Sequence, residues 1–313
     1  MPHLRLIGCR LLQAVPSLLA VSVVSFLMLR LAPGDPARVI AGPRATEQTV
    51  AALHRQLGLD QPLVVQYWRY LVRAIRGDFG QNLTGSSSVS DVIVHSAGVT
   101  LWLIAGSILL TSVICVPLAV IGARRPDGLL DAGVRVLSVG GLALPSFWVG
   151  LMLVSYLALP TGWFPVGGWA STFTGKLNAI VLPSFTLAIS MAPILVRSLR
   201  SSLIEVFEAD YVKAARAMGV RGATLTRRFV VRNAAAPAVP IFAIVVGFIV
   251  GGTVIIESTF ALPGLGLALV QAATTRDANL IQGITLVLGV CIVLIYLIAD
   301  ILLSLIDPRV KLT

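Results

Sequence analysis

The chain has 313 residues, 57% of them hydrophobic and 12% charged, and its mean hydropathy is +0.91. Soluble domains carry about 25% charged residues, so a cytosolic α/β enzyme, a secreted enzyme and a disordered protein are excluded, and an integral membrane protein with several spans remains. Lysine and arginine outnumber aspartate and glutamate 24 to 14, a net charge of +10; in so apolar a chain this excess marks the cytoplasmic face of a membrane protein, not a nucleic-acid partner.

A bilayer core about 30 Å thick requires roughly 20 apolar helical residues. The first window that qualifies is 11–29, preceded by Arg5 and Arg10. Two readings fit it, a cleaved signal peptide and a retained span. The run is longer than a signal core and ends at Arg30-Leu31-Ala32-Pro33 without a small-x-small site, which favours the span.

Residues 33–95 are too long for a simple loop and have helical signals. Thr46 is a predicted N-cap, with Val50, Leu53 and Leu57 on one face and Gly58 as the stop. A second helix opens near Pro62; Val64, Val65, Trp68, Leu71, Val72 and Ile75 recur at helical spacing before Gly77. These helices are expected on the outer surface, with their apolar faces packed on the spans.

Five more windows follow, 97–123, 136–159, 177–196, 234–256 and 280–299, which makes six spans in all and an all-α polytopic membrane protein. The period-2 alternation of a transmembrane β-barrel is absent. Arg5, Arg10, Arg124, Arg125, Arg135, the arginines of 197–232, Arg309 and Lys311 fall on one side, whereas the two short loops of the other side carry only Lys176 and Arg276. The positive-inside rule then places both termini in the cytoplasm. Pro117, Pro145, Pro183, Pro193, Pro237 and Pro240 lie within the windows, either as ordinary kinks or as parts of a moving device. Ionisable residues are nearly absent from the spans, with Glu257 and Asp300 at span ends, so the energy source is expected outside this chain's membrane core. The dispersed Cys9, Cys115 and Cys291 are read as packing residues.

The loop 197–232 carries the most information. An amphipathic continuation of span four leads to Asp210-Tyr-Val-Lys-Ala-Ala-Arg-Ala-Met-Gly219. Asp210 is placed as N-cap and Gly219 as C′ residue of a helix of about two turns. Its small Ala214, Ala215 and Ala217 suit a groove in another protein, and its arginines suit equally an anionic headgroup layer.

This loop resembles the cytoplasmic coupling loop of the membrane subunits of binding-protein-dependent ABC importers, a pattern of Glu, two Ala, three variable residues and Gly. Ala214, Ala215 and Gly219 match it, and Lys213 stands at the Glu position, as in the dipeptide/oligopeptide/nickel-type permeases. Pro33-Gly34-Asp35-Pro36 after span one, Leu57 to Tyr70 leading to Gly77-Asp78-Phe79-Gly80, Glu257 to Gly266 after span five, and Asp300 before Asp307-Pro308-Arg309 agree with that branch. The long outer segment resembles the first permease of the pair.

The resemblance implies an ABC type I importer permease fold, with a cytoplasmic N-terminus and first span (1–32), an extracytoplasmic helical segment (33–96), a five-helix core (97–307) and a short tail (308–313). It implies a bacterial inner-membrane location and a non-catalytic subunit that forms the pathway with a second permease. Two ABC ATPases would bind ATP and Mg, and an extracytoplasmic binding protein would deliver a di- or oligopeptide, with nickel, glutathione, haem or sugar conjugates as alternatives. Asp210, Tyr211, Lys213, Ala214, Ala215 and Gly219 would form the ATPase-coupling helix, with Ala214 and Ala215 in close contact. Glu257, Phe260, Pro263, Gly264 and Gly266 would lie at the outer mouth near the binding protein; Glu257 would hold the gate or cap a helix end, and Gly264 and Gly266 would take positive φ. Asp300 would pair helices at the inner face, and no metal or cofactor is expected in this chain. No Gly-x-x-x-x-Gly-Lys-Ser/Thr occurs, so a P-loop must lie in another chain. An ion-coupled secondary transporter is the rival reading; it would need carboxylates or paired broken helices at midplane. An intramembrane serine protease would need a histidine within a span, and His3, His54 and His95 lie outside the span interiors.

Overall fold

The computed structural model describes residues 2–31, 36–41, 45–82, 87–124, 126 and 128–306. Pro33, Gly34, Asp35 and Asp307 lie outside the described residues. The helices are α1 (Pro2–Leu31), α2 (Pro36–Ala41), α3 (Glu47–Leu57), α4 (Leu63–Ile75), α5 (Val89–Arg124), α6 (Leu129–Ala143), α7 (Ser146–Thr161), α8 (Phe173–Glu208), α9 (Asp210–Ala217), α10 (Arg232–Thr259), α11 (Leu265–Thr275) and α12 (Ala278–Ile306). Among the described residues the only β-pairing is an isolated bridge between Gln81 and Ser88.

Five helices, α1, α5, α8, α10 and α12, are long and apolar enough to cross a bilayer. The predicted window 136–159 is instead split between α6 and α7. Leu144 is extended, with φ −95° and ψ 126°, and Pro145 begins the next helix. Proline has no N–H to donate and pushes the preceding residue out of the α region. A π-helical turn at Val154–Ala158 then widens α7. Helices α5, α8 and α10 run through their prolines without a break.

The bundle is organised around α8. Its apolar window is 72% buried, against 17% for α1 and for α12, so α8 is the central helix and those two are peripheral. Helices α5, α6 and α10 pack on α8, α12 packs on α10, and α1 packs on α12. Side chains of α8 at its contacts are often small or short, including Ala179, Ser184, Thr186, Ala188, Ser190 and Ala192. Lipid tails provide no hydrophobic drive between helices, so association depends on such close approach. At the α5–α8 crossing, a Cβ on Gly106 would meet Ile180 Cδ1 at 3.2 Å and press into the Ser184 hydroxyl. The buried hydroxyls return to their own helix: Ser107 donates to Leu103 O at 2.7 Å, and Thr186 to Leu182 O at 2.8 Å. These two hydroxyls are thereby satisfied without water.

The outer segment follows its local signals. Thr46 caps α3 by accepting from the Thr49 N–H, and Gly58 stops the helix at φ 67°. Pro62 precedes α4, and Gly77 follows it at φ 75°. The expectation that α4 buries its apolar face on the spans is corrected. None of its residues is fully buried; it meets α1 through Tyr67 and Tyr70.

Candidate functional site

Two regions at opposite ends of the bundle hold the residues of interest. Thr100 reaches one and Ala119 the other; they lie about 28 Å apart along α5, close to the thickness of a bilayer core.

The first region is built on α8, which has 36 residues and is therefore about 54 Å long, more than the membrane needs. Its excess carries the chain clear of the bilayer. Ala209 then turns extended, φ −65° and ψ 143°, and its carbonyl accepts the N–H groups of Val212 and Lys213. Ala209 is thus the N-cap of α9, and the expectation of Asp210 in that role is corrected. A single linking residue between two helices leaves the cap position to Ala209, and Asp210 becomes the first helical residue. Its exposed carboxylate instead accepts from Lys213 Nζ at 3.3 Å. Gly219 closes the helix at φ 88°, as predicted, with Val220 N–H donating to Ala215 O at 3.0 Å.

Helix α9 has two distinct faces. Val212 and Ala215 are buried among Ala119 and Ala123 of α5, Leu199 and Leu203 of α8, Leu225 and Val230 of the following π-helical segment, and Ala234 and Ala238 of α10. Lys213, Ala214, Ala217 and Met218 face outward. The expectation that Ala215 is a close-contact residue for a partner is therefore corrected: it packs inside this chain, while Ala214, Ala217 and Met218 form the bare surface. The 3.6-residue period decides this, because Val212 and Ala215 share the stripe that meets α8. Tyr211 is part-exposed; burial raises its phenol above the usual value, and a hydrogen bond with Asn233 opposes the rise. Arg216 lies over the Phe207 ring, 5.7 Å from its centroid.

Beside α9 lies a carboxylate that sequence reasoning missed. Asp131, on the first turn of α6, is fully buried. Arg200 of α8 grips it with both Nε and Nη2, the latter at 2.7 Å. Arg135 Nη2 lies 3.5 Å away, one turn along α6. Arg124 Nη2 of α5 donates to Thr226 Oγ1 at 3.2 Å nearby. The available signal was an acid one turn before Arg135 in an otherwise apolar helix.

The second region is the turn between α10 and α11. Glu257 is fully buried. Thr100 Oγ1 donates to Glu257 Oε1 at 2.7 Å; the N–H groups of Gly266 and Leu267 donate to Oε2 at 2.7 and 3.2 Å; and Leu265 N–H donates to Thr100 Oγ1 at 2.8 Å. The carboxylate and the threonine thus satisfy the orphan amides of the first turn of α11, where the helix dipole also favours negative charge. Of the two roles open to Glu257, the geometry realises the helix cap. The expected positive φ at Gly264 and Gly266 is corrected: Gly264 has φ −101°, Gly266 lies within α11, and the positive φ falls on Ala261 at 47°. The glycines supply room instead. A Cβ on Gly264 would run into the Glu257 carboxyl, and one on Gly266 would meet the Val254 backbone. Phe260, expected at a contact surface, is 1% exposed and lies beneath Gly150, with its carbonyl accepting from Gly168 N–H at 3.1 Å. Pro263 is exposed.

Pro36 opens α2, and Asp300 is half-buried on the C-terminal part of α12; neither joins the two regions above. Among the described residues no group of three or more His, Cys, Asp or Glu is placed to hold a metal ion.

A polytopic helical bundle with an external two-turn helix at one end is the architecture of a membrane transport component. Residues 115–312 match the family model for the binding-protein-dependent transport system inner membrane component, and residues 3–101 match the model for its N-terminal part. The chain belongs to this family. It is 38% identical over 306 residues to the glutathione transport system permease protein GsiC of Salmonella paratyphi A, covering 96% of this chain and 97% of that protein. It is 34% identical over 308 residues to the oligopeptide transport system permease protein AppB of Bacillus subtilis, covering 96% and 98%. Among solved structures, a chain of the MetNI methionine ABC transporter in an inward-facing conformation matches with a TM-score of 0.58 and 18% identity, over 69% of this chain and 96% of that one. That likeness establishes the fold. The chain is accordingly a multi-pass inner-membrane permease of the ABC importer type.

Proposed function

We propose that this permease carries short peptides, glutathione among the candidates, and forms the pathway with a second permease. Two ATPase subunits bind ATP and Mg, and an extracytoplasmic binding protein delivers the cargo. The relatives named above as glutathione and oligopeptide permeases support the cargo class. Helix α9 is the coupling element. Its outward Ala214, Ala217 and Met218 sit in a groove of the ATPase, and its inward Val212 and Ala215 pass the ATPase motion to α5, α8 and α10. The observation that carries this reading is the two-faced packing of α9, buried in its own chain on one side and bare on the other.

In this reading the α9 end is cytoplasmic and the Glu257 end extracytoplasmic. Helices α6 and α7 count as one broken crossing. Asp131 of α6 meets Arg200 at the α9 end, and the loop after α7 reaches Phe260 at the other. With that crossing included there are six, and both termini are cytoplasmic. The concentration of arginines in 197–232 supports the orientation. The Glu257 turn is the scaffold of the outer mouth.

The test is made on the assembled transporter reconstituted in vesicles. Ala214→Trp should abolish peptide uptake and its coupling to ATP hydrolysis while the permease stays folded, because the side chain at 214 is exposed. Met218→Cys should crosslink to an ATPase subunit. Normal uptake by Ala214→Trp together with no ATPase crosslink would sink the proposal.

A further inference from the structure

Helix α4 has three faces. At about 100° per residue, Tyr67, Tyr70 and Ala74 share one side. Val64, Trp68 and Ile75 share a second, roughly a quarter-turn round, and Arg69, Arg73 and Arg76 a third. The tyrosine side is anchored to α1: Tyr67 Oη and Ser22 Oγ are 2.7 Å apart, Tyr70 Oη donates to Ser25 Oγ at 3.4 Å, and Phe26 stands edge-on to Tyr67 with centroids 5.5 Å apart. The apolar side is largely exposed among the described residues. Val64 is 79% exposed, Trp68 64% and Ile75 78%.

The anchor sets the depth of α4. The apolar window of α1 is Leu11–Met28, about 27 Å long. Ser22 and Phe26 lie about 9 Å and 3 Å inside its end at Met28. A helix tied to both therefore lies at the boundary between acyl chains and headgroups, the depth of interfacial amphipathic helices. Helix α1 is peripheral, and at this same level it exposes Val23, Val24 and Leu27, so the bare side of α4 continues an exposed apolar surface of a membrane-spanning helix. An indole belongs at that depth, and arginines on a neighbouring side reach phosphates.

We propose that α4 is an interfacial anchor whose Val64–Trp68–Ile75 side is embedded in one leaflet of the bilayer, with Arg69 and Arg76 toward the headgroups. The occupant of this surface is lipid, at a site separate from the pathway and from α9.

The test uses the full transporter in nanodiscs of phosphatidylethanolamine and phosphatidylglycerol, without binding protein, with the native cysteines replaced by serine. Spin labels are attached at Val64→Cys, Trp68→Cys and Ile75→Cys, and separately at Arg69→Cys and Arg76→Cys. Collisional relaxation by oxygen, which concentrates in lipid, is compared with that by a water-soluble nickel chelate. Labels at 64, 68 and 75 should be several-fold more accessible to oxygen than to nickel, and the ratio should reverse at 69 and 76. Nickel accessibility at 64, 68 and 75 would show a water-facing helix and overturn the proposal. Protection from both reagents there would show a protein neighbour and overturn it equally. All five positions are exposed on the helix surface, so the substitutions leave the core packing untouched.

Discussion

Two of the buried carboxylates, Glu257 and Asp131, lie near opposite ends of the molecule and are satisfied by different means. Glu257 is held by neutral donors, two backbone amides and a hydroxyl, all of which belong to or brace the turn that it caps. Asp131 is held by cations, the Arg200 guanidinium in two-pronged contact and Arg135 one turn away. A carboxylate taken out of water needs either kind of partner, but the two differ mechanically. The Glu257 cap fastens α10 to backbone amides of α11 about ten positions on, and through Thr100 ties that stiff corner to α5. The Asp131 ion pair joins the side chains of α6 and α8, and Arg135 is exposed, so it is a clasp between separate elements beside α9.

The largest effect that separates the two is expected from Glu257→Ala. It strands two amides of α11 and the Thr100 hydroxyl in a dry site, at about 1–3 kcal/mol for each group left unsatisfied. Thermal unfolding of the detergent-solubilised permease should show the loss, and Glu257→Gln, which keeps one acceptor, should recover much of it. Recovery by Gln no better than by Ala would mean that charge, not acceptor geometry, holds the corner.

Asp131→Asn is expected next, at about 1–3 kcal/mol. This is below the usual 3–5 for a broken buried pair, because Arg200 keeps some access to solvent. The double change Asp131→Asn with Arg200→Gln should be less harmful than the sum of the singles, as a double-mutant cycle on melting would show. Strict additivity would break the clasp interpretation. Gly266→Ala should cost about 1–3 kcal/mol by overpacking against Val254 and the Glu257 carboxyl, measured in the same melts; it keeps the charge while crowding the corner, so it sharpens the distinction between space and charge there.

The smallest effect belongs to the exposed Asp78. The hydrogen bond from Arg73, with that from Gly80 N–H, holds its carboxyl below the usual carboxylate range. A folded-state value below the unfolded one means that this stabilisation is present above the unfolded value and disappears as pH falls through the folded one. Because the pair is exposed, Asp78→Asn should cost no more than about 1 kcal/mol at neutral pH and nothing in acid, read from melts at the two pH values.

Much of this was legible in the residues. Local signals act over one or two turns, so Thr46, Gly58, Pro62, Gly77 and Gly219 punctuate helices where the chain suggested. The five long helices follow from runs of apolar residues that no soluble fold could cover. The failures share a cause. Asp210 has the chemistry of a cap, yet the chain turns one residue earlier. Gly264 and Gly266 look like turn glycines, yet what they avoid is a carboxyl and a backbone brought close by folding. Val64, Trp68 and Ile75 have the spacing of a core stripe, yet no helix covers them.

The sequence by itself determined that this is a helical membrane protein, where its five long apolar helices run, and which loop carries the Ala214-Ala215-x-x-x-Gly219 helix, because hydropathy and helix signals are properties of neighbours along the chain. Only the tertiary structure decided that Ala214 looks outward and Ala215 inward, that Asp131 meets Arg200, and that Glu257 with Thr100 closes the first turn of α11. Those contacts join residues as many as 157 positions apart, and a buried charge or a helix face acquires its role only from what folding places against it.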